Sequence, residues 1–183
     1  MSEGKILIAN TSALADHKDY FTFLDVAERV IEKRKDVHFL IMAEGPMEKE
    51  IKSYAATKEL KKQLQFLGFR NDIPKVLAGV DLFLITSKTE GLGTSILDAF
   101  ACEIPVVGTN GGGITELIEH EKTGLLCEVK NVLQIEKAVN RMIEDVDLKD
   151  MLVKNAKEKV QAFSKKETAK ATLAHYRSIL ALN

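Results

Sequence analysis

The chain has 183 residues, of which 45% are hydrophobic and 29% charged, and its formal net charge is −1. This length and composition suit one globular domain with a hydrophobic core. A net charge near zero provides no overall field to attract nucleic acid. Basic residues are interspersed with acidic ones and do not form a stripe with interleaved aromatic residues, so we expect no nucleic-acid partner.

Two further observations concern the compartment. No hydrophobic run reaches the roughly 20 residues of a membrane span, and the first residues, MSEGKILIAN, lack the layout of a signal peptide. Cys102 and Cys127 have no CxxC partner, and both stand among apolar residues. We interpret them as buried thiols in a reducing compartment, not as a metal or redox site. The expected location is cytoplasmic.

Short hydrophobic runs alternate with longer amphipathic stretches, a pattern typical of strands alternating with helices. In chain order we predict strand 5–10, helix 20–34, strand 37–43, helix 47–60, strand 64–69, a short helix capped by Asp72 and ending at 78, strand 80–86, helix 95–102, strand 105–108, a helix ending near 120, strand 124–129, and helices from 132 onward. A capping box of Ser164 and Glu167 begins the last helix, which is expected to end near Leu182. Strands buried on both faces predict an α/β fold with a doubly wound, Rossmann-like parallel sheet.

The segment from Lys149 to Arg177 differs in composition from the rest, with eight basic and three acidic residues and a net charge of +5. The simpler interpretation is a solvated helical face. The alternative is weak attraction to an anionic membrane surface, which would place the protein peripherally at the inner face of the membrane.

The stretch TSKTEGLGTSILDAFACEIPVV, residues 86–107, follows the fourth predicted strand. In open α/β sheets, ligands bind beyond the carboxyl ends of the strands. Gly91 and Gly93 allow the backbone to approach a ligand closely. The helix that begins near Ser95 offers unpaired N–H groups and the positive end of its dipole to a phosphate or diphosphate, and Thr94 and Ser95 add hydroxyl donors.

Two carboxylates flank this turn. Glu90 precedes it, and Asp98 lies about one helical turn into the helix, where hydrogen bonds from hydroxyl groups suit it better than a phosphate of like charge. A nucleotide sugar has this layout, with a sugar on each side of a diphosphate. The alternative is structural: Ser95 and Asp98 could form a variant capping box, and Glu90 could be an exposed loop acid near the helix dipole.

The ordered series of motifs resembles the group 1 glycosyltransferases, family 4 in the sequence classification. In chain order the motifs are AEGP (43–46), FLGF (66–69), VDLFL (80–84), EGLGTSILDAFACEIPVV (90–107), GGGITELI (111–118) and TGLL (123–126). The resemblance covers residues 5–164. Members of this family have two Rossmann-like domains facing each other across a cleft, the GT-B arrangement, and this chain resembles only the C-terminal, donor-binding half.

The resemblance implies roles for individual residues. Glu90 and Lys18 are the candidate catalytic residues: Glu90 matches the acid that positions the transferred sugar, and Lys18 the lysine that neutralises the leaving diphosphate. Asp98 matches the acid that binds the ribose. Contacts to sugar and diphosphate are expected from the turn of Gly91, Leu92, Gly93 and Thr94, and the nucleobase is expected beside Phe69 and Arg70.

The same resemblance implies retaining transfer of a hexose from a nucleoside diphosphate sugar to an acceptor hydroxyl. Neither a metal nor another cofactor is expected, and Asp145 and Asp147 are interpreted as helix-capping acids. Residues 1–183 would form the donor domain, within which helix 164–183 packs on an N-terminal acceptor domain outside this sequence. Ile179, Leu180 and Leu182 would then be exposed, and the isolated domain would be inactive.

Two positions depart from the family pattern. Asp98 is one methylene shorter than the usual glutamate, and Ala13 stands where the family has an arginine, so half of the cationic clamp on the diphosphate is missing. His17 is interpreted as a solvated loop histidine. Two alternatives therefore stay open: a nucleotide-sugar epimerase of the same fold, and an inactive binding or scaffold half.

Overall fold

A computed structural model of the protein describes residues 4–60 and 62–181. Its strands form one parallel sheet in the order β3-β2-β1-β4-β5-β6. The strand bounds are β1 Ile6–Asn10, β2 Val37–Ile41, β3 Leu64–Phe66, β4 Leu82–Ile85, β5 Val106–Thr109 and β6 Leu125–Cys127. The chain winds outward from β1 in one direction and from β4 in the other, so the predicted doubly wound sheet is confirmed.

Helices connect successive strands, and three more follow β6. Their bounds are α1 Tyr20–Lys33, α2 Glu48–Ala56, α3 Ile73–Leu77, α4 Thr94–Ala101, α5 Ile114–Leu117, α6 Val132–Glu144, α7 Val146–Val160 and α8 Lys165–Ala181. Single 3-10 turns lie at Asp16–Lys18 and Gln161–Phe163.

Both faces of the sheet are covered, and neighbouring residues of a central strand enter different cores. Ile8 and Leu84 pack with α1, α2 and α6 on one face, whereas Ala9 and Phe83 pack with α3, α4 and α5 on the other. All four side chains are inaccessible to solvent. Burial on both faces explains why these strands are almost continuously hydrophobic in the sequence.

Several elements end earlier than predicted because the backbone leaves the regular conformation. β3 ends at Phe66, and Gly68 has a φ of +66° two residues later. α2 ends at Ala56 instead of Leu60. α5 ends at Leu117 because Ile118 is extended.

The predicted helix caps have different outcomes. Asp145 accepts a hydrogen bond from the Leu148 N–H at 3.0 Å and caps α7 as expected. Asp72 was expected to cap α3, but its carboxylate pairs with Arg70 instead. The predicted capping box has only one of its two hydrogen bonds among the described residues: the Glu167 N–H donates to Ser164 Oγ at 3.3 Å. The predicted end of α8 at Leu182 lies outside the described residues.

A buried carboxylate fastens α6 to α1. The Glu136 side chain on α6 is 2% exposed, and it accepts hydrogen bonds from Arg29 Nε at 2.8 Å and Lys33 Nζ at 2.6 Å. Desolvation by burial raises the pKa of Glu136, but the two cationic hydrogen bonds outweigh it and hold this pKa below its usual value. The carboxylate therefore stays ionised and ties the two helices together.

Replacing Glu136 by Gln leaves two cations without their counter-ion, and we expect a loss of about 1–3 kcal/mol in the free energy of unfolding. The control is Glu144→Gln on the same helix. Its side chain is 66% exposed and pairs with Arg34, so a change within about 0.5 kcal/mol is expected. Because the folded pKa of Glu136 is lowered, its contribution is present above the unfolded pKa and is lost as the pH falls through the folded value. Urea unfolding measures both effects, and equal losses in the two variants would contradict this role.

Candidate functional site

The reversal of strand order between β1 and β4 places two loops side by side at the carboxyl edge of the sheet. One loop, residues 11–19, follows β1, and the other, residues 86–93, follows β4. Ligands of doubly wound proteins bind at such a switch point. The candidate site is therefore the crevice between these two loops.

A buried polar network anchors the loop after β1. Asn10 Nδ2 donates to the Leu84 carbonyl at 2.7 Å, and Asn10 Oδ1 accepts from Tyr20 Oη at 2.9 Å and from the Ser12 N–H at 2.7 Å. Burial, with a smaller contribution from the charge of Glu90, raises the pKa of Tyr20, so its hydroxyl remains a neutral donor. No sequence pattern identifies Asn10 or Tyr20 as site residues, because the β1–β4 pairing is what brings Asn10 to its distant partner Leu84.

Further hydrogen bonds hold the two loops to each other. The Lys88 N–H donates to the His17 carbonyl at 2.7 Å, and Thr86 Oγ1 donates to the Asp19 carbonyl at 3.0 Å. Thr109 Oγ1, at the end of β5, donates to the Ser87 carbonyl at 2.6 Å. The loop after β4 is thus fixed from both neighbouring strands.

The two candidate catalytic residues lie in direct contact. Lys18 Nζ is 2.6 Å and 2.7 Å from the two carboxylate oxygens of Glu90, and Ser87 Oγ donates to Glu90 Oε1 at 2.7 Å. The side chains of Lys18 and Glu90 are only 16% and 8% exposed. Glu90 is therefore not the exposed loop acid of the structural alternative.

The glycine run 111–113 allows the loop of Glu90 to pack tightly. A Cβ at Gly113 would lie 1.8 Å from the Gly91 carbonyl oxygen, and the Gly113 N–H donates to the Glu90 carbonyl at 2.9 Å. A Cβ at Gly91 itself would meet open space. The underside of the turn is thus filled by backbone, and its outer side at Gly91 is open to a ligand.

The start of α4 presents unpaired donors. Gly93 adopts a φ of +69° as the residue before the helix. Among the described residues, no group accepts a hydrogen bond from the N–H of Thr94 or Ser95. The variant capping box of Ser95 and Asp98 is not formed, because no side chain caps this helix. These amides and the positive end of the helix dipole can hold an anion.

Asp98 lies one turn along the same helix. Within the described part of the chain its carboxylate accepts no hydrogen bond, and desolvation raises its pKa. An acceptor without a partner, one turn from the free amides, can receive ligand hydroxyl groups.

The loop at Phe69 and Arg70 reaches the same edge of the sheet through Glu44. The Phe69 N–H donates to Glu44 Oε1 at 3.3 Å, and the Glu44 carbonyl accepts from the Leu14 N–H at 3.0 Å. Phe69 is 74% exposed, whereas Arg70 is engaged by Asp72 at 2.7 Å. An exposed aromatic ring next to the crevice loops is available for stacking.

Ala13 and His17 are both exposed in the loop after β1. Beside them, Asp16 pairs with Lys88 at 2.8 Å, and the Lys88 hydrogen bond is the main cause that lowers the pKa of Asp16. Lys18 is the only lysine or arginine in residues 11–19.

Three further findings concern other chemistry. The described residues contain no group of three or more His, Cys, Asp or Glu side chains arranged to hold a metal ion. Both cysteines are free thiols, and burial raises the pKa of Cys127 to about 12. None of the described helices combines the length and hydrophobicity needed to cross a bilayer.

These features define a Rossmann-like domain in which, among the described residues, the first amides of α4 have no partner and a Lys18–Glu90 pair lies at the switch point. The family profile "Glycosyl transferases group 1" matches residues 1–159. The chain therefore belongs to the group 1 glycosyltransferase family.

Individual relatives agree with this assignment. The UDP-Gal:alpha-D-GlcNAc-diphosphoundecaprenol alpha-1,3-galactosyltransferase of Escherichia coli is 32% identical over 146 residues, which are 78% of this chain and 38% of that enzyme. The crystal structure of Anabaena HepE in complex with UDP and glucose superposes with a TM-score of 0.86 at 25% identity, over 96% of this chain and 48% of that chain. The C-terminal domain of the group 1 protein LpcC from Francisella tularensis has a TM-score of 0.76 at 25% identity, over 86% of this chain and 85% of that domain. The matched segment is 33% to 40% of the length of the curated relatives.

Gly113→Ala should disrupt the site because the new Cβ collides with the backbone of Gly91. We expect a loss of about 1–3 kcal/mol in the free energy of unfolding. Gly91→Ala is the matched control, since its Cβ meets open space, and we expect it to change stability by less than about 1 kcal/mol. Urea unfolding compares the two variants. The packing account fails if Gly113→Ala is as stable as the unmodified chain.

Proposed function

We propose that this chain is the donor-binding half of a retaining glycosyltransferase that transfers a hexose from a nucleoside diphosphate sugar to an acceptor hydroxyl. The observation that carries the proposal is that the N–H groups of Thr94 and Ser95, at the start of α4, have no partner among the described residues. They lie at the switch point, a few residues after Glu90 of the Lys18–Glu90 pair. The acceptor side would be supplied by polypeptide outside this sequence, since the matched segment covers 33% to 40% of the curated relatives.

In this proposal the N–H groups of Thr94 and Ser95 hold the diphosphate, aided by the helix dipole. Lys18 offsets the negative charge that grows on the leaving diphosphate as the bond to the sugar breaks. The turn of Gly91, Leu92 and Gly93 lets the sugar and diphosphate approach the backbone.

The two acids bind the two sugars. Glu90 accepts hydrogen bonds from hydroxyls of the transferred sugar, since it contacts Lys18 and immediately precedes the turn. Asp98, which has no partner among the described residues, accepts from the ribose. The exposed ring of Phe69 stacks on the nucleobase, with Arg70 beside it.

No metal is required in this proposal, because Lys18 and the helix start provide the positive charge. Two similarities support a UDP-sugar as the first donor to test: the E. coli relative is named for UDP-Gal, and HepE is in complex with UDP and glucose. The family match names transferases and gives the epimerase alternative no support. The missing arginine at Ala13 would lower the rate of transfer by leaving Lys18 as the main diphosphate cation of its loop.

The isolated chain would bind donor without turning it over, because the active cleft of a two-domain enzyme needs both domains.

Helix α8 supports the presence of a second domain in the whole protein. All its side chains from Lys165 to Leu180 are exposed, and Leu173, Tyr176 and Leu180 form an apolar stripe at helical spacing, 49%, 60% and 72% exposed. We propose that this stripe packs on an N-terminal acceptor domain.

Peripheral membrane contact stays a prediction. Of the eight basic side chains in the segment 149–177, Lys157, Lys159 and Lys170 are paired with glutamates. That pairing favours the solvated face that the sequence analysis preferred.

Donor binding is tested by titrating the chain with UDP, GDP, ADP and UDP-glucose and measuring Kd by calorimetry. Lys18→Met should weaken diphosphate binding about tenfold or more, because it removes a charge-assisted contact. The control is Lys122→Met, whose side chain is 73% exposed outside the crevice and which should leave Kd unchanged. If none of these ligands binds at millimolar concentration, the proposed function is wrong.

The place of α8 is tested by hydrogen exchange. In the 183-residue chain, α8 amides should exchange much faster than those of α6, because the side chains of residues 165–180 are all exposed and provide no packing to stabilise the helix. In a longer protein that also contains an acceptor domain, the exchange of α8 should slow markedly. Equal exchange of α8 in the two proteins would contradict its packing on that domain.

A further inference from the structure

The cation and the acid assigned to the donor neutralise each other in the structure. Lys18 Nζ contacts both oxygens of Glu90, at 2.6 Å and 2.7 Å, in a pair whose side chains are 16% and 8% exposed. Ser87 Oγ supplies a third hydrogen bond, to Glu90 Oε1 at 2.7 Å. The carboxylate is thus held against the only lysine or arginine of its neighbouring loop.

This pairing has a consequence for any diphosphate that uses Lys18. The ligand must share the cation with Glu90 or displace the carboxylate, and two anions at one ammonium group repel each other. Because the pair is largely removed from solvent, water screens this repulsion weakly.

The two kinds of ligand differ in the hydrogen bonds that they can donate to Glu90 once it is displaced from Lys18. A free nucleoside diphosphate offers Glu90 no hydroxyl group near the terminal phosphate. A nucleoside diphosphate sugar carries sugar hydroxyls at that position, and these can donate to the carboxylate and replace the hydrogen bonds lost from Lys18.

We infer that Glu90 is a built-in competitor of the diphosphate for Lys18, which weakens the binding of the free nucleotide product and favours the intact sugar donor. The inference rests on the proposed donor site and adds a selection between substrate and product. Ser87 contributes by keeping the unliganded carboxylate in the competing position.

The experiment measures Kd for UDP and for UDP-glucose by calorimetry, with circular dichroism to verify folding. Glu90→Gln should bind UDP about tenfold more tightly than the unmodified chain, a factor typical of one charge-assisted hydrogen bond, and should lose its preference for UDP-glucose over UDP. Ser87→Ala, a milder change, should shift both quantities in the same direction by a smaller factor.

Two controls separate competition from general electrostatics. In a Lys18→Met background, Glu90→Gln should no longer tighten UDP binding, because there is no cation left to release. Asp16→Asn removes an equal charge from the loop that carries Lys18, at a side chain that is 75% exposed, and it should tighten UDP binding less than twofold.

The outcomes are distinct. If UDP binds the unmodified chain and Glu90→Gln leaves its Kd unchanged or weaker, the competition is refuted while the donor site stands. Tightening that persists in the Lys18→Met background, or that Asp16→Asn reproduces, also refutes it. If neither UDP nor UDP-glucose binds any variant, the donor site and the inference built on it both fail.

Discussion

The structure depends on the pairing of β1 with β4, the place where the order of the strands reverses. The loops that leave these two strands turn to opposite faces of the sheet, which opens a crevice but also exposes backbone polar groups that a ladder would otherwise satisfy. The Asn10 side chain provides hydrogen-bond partners for some of these polar groups. Its side chain bonds the Leu84 carbonyl on β4, the Ser12 amide and the Tyr20 hydroxyl, so a single buried amide fixes both walls of the crevice.

The second requirement is close approach of backbone to backbone. The loop of Glu90 rests on Gly111–Gly113, where a Cβ at any of the three would lie under 3.0 Å from an atom of residues 87–91. This contact holds the turn before α4 in place, and within residues 4–60 and 62–181 the Thr94 and Ser95 amides have no acceptor. Glycine here permits close backbone packing rather than flexibility, because the Gly113 N–H is hydrogen-bonded to the Glu90 carbonyl.

The sheet and its strands could be predicted from the sequence because burial on both faces produces continuous hydrophobic runs such as VDLFL. The ends of α2, α5 and β3 could not, since they depend on local backbone conformations such as the positive φ of Gly68. At the site, the turn of Gly91 and Gly93 and the flanking acid Glu90 were predicted from the residue pattern, and Lys18 was suggested by motif resemblance. The direct contact of Lys18 with Glu90 across 72 residues of sequence follows only from the fold, as does the hydrogen bond from Asn10 to the Leu84 carbonyl. Short-range patterns carry no information about such distant partners.

The central proposal is that the main-chain N–H groups of Thr94 and Ser95, at the start of α4, hydrogen-bond to a diphosphate. The most direct measurement is a nitrogen-15 NMR titration of the chain with UDP, following each backbone amide. The account predicts that the Thr94 and Ser95 resonances shift most, together with those of Gly91, Gly93 and Lys18. Saturable binding that leaves Thr94 and Ser95 unchanged and instead shifts amides of α6 and α7 would contradict it.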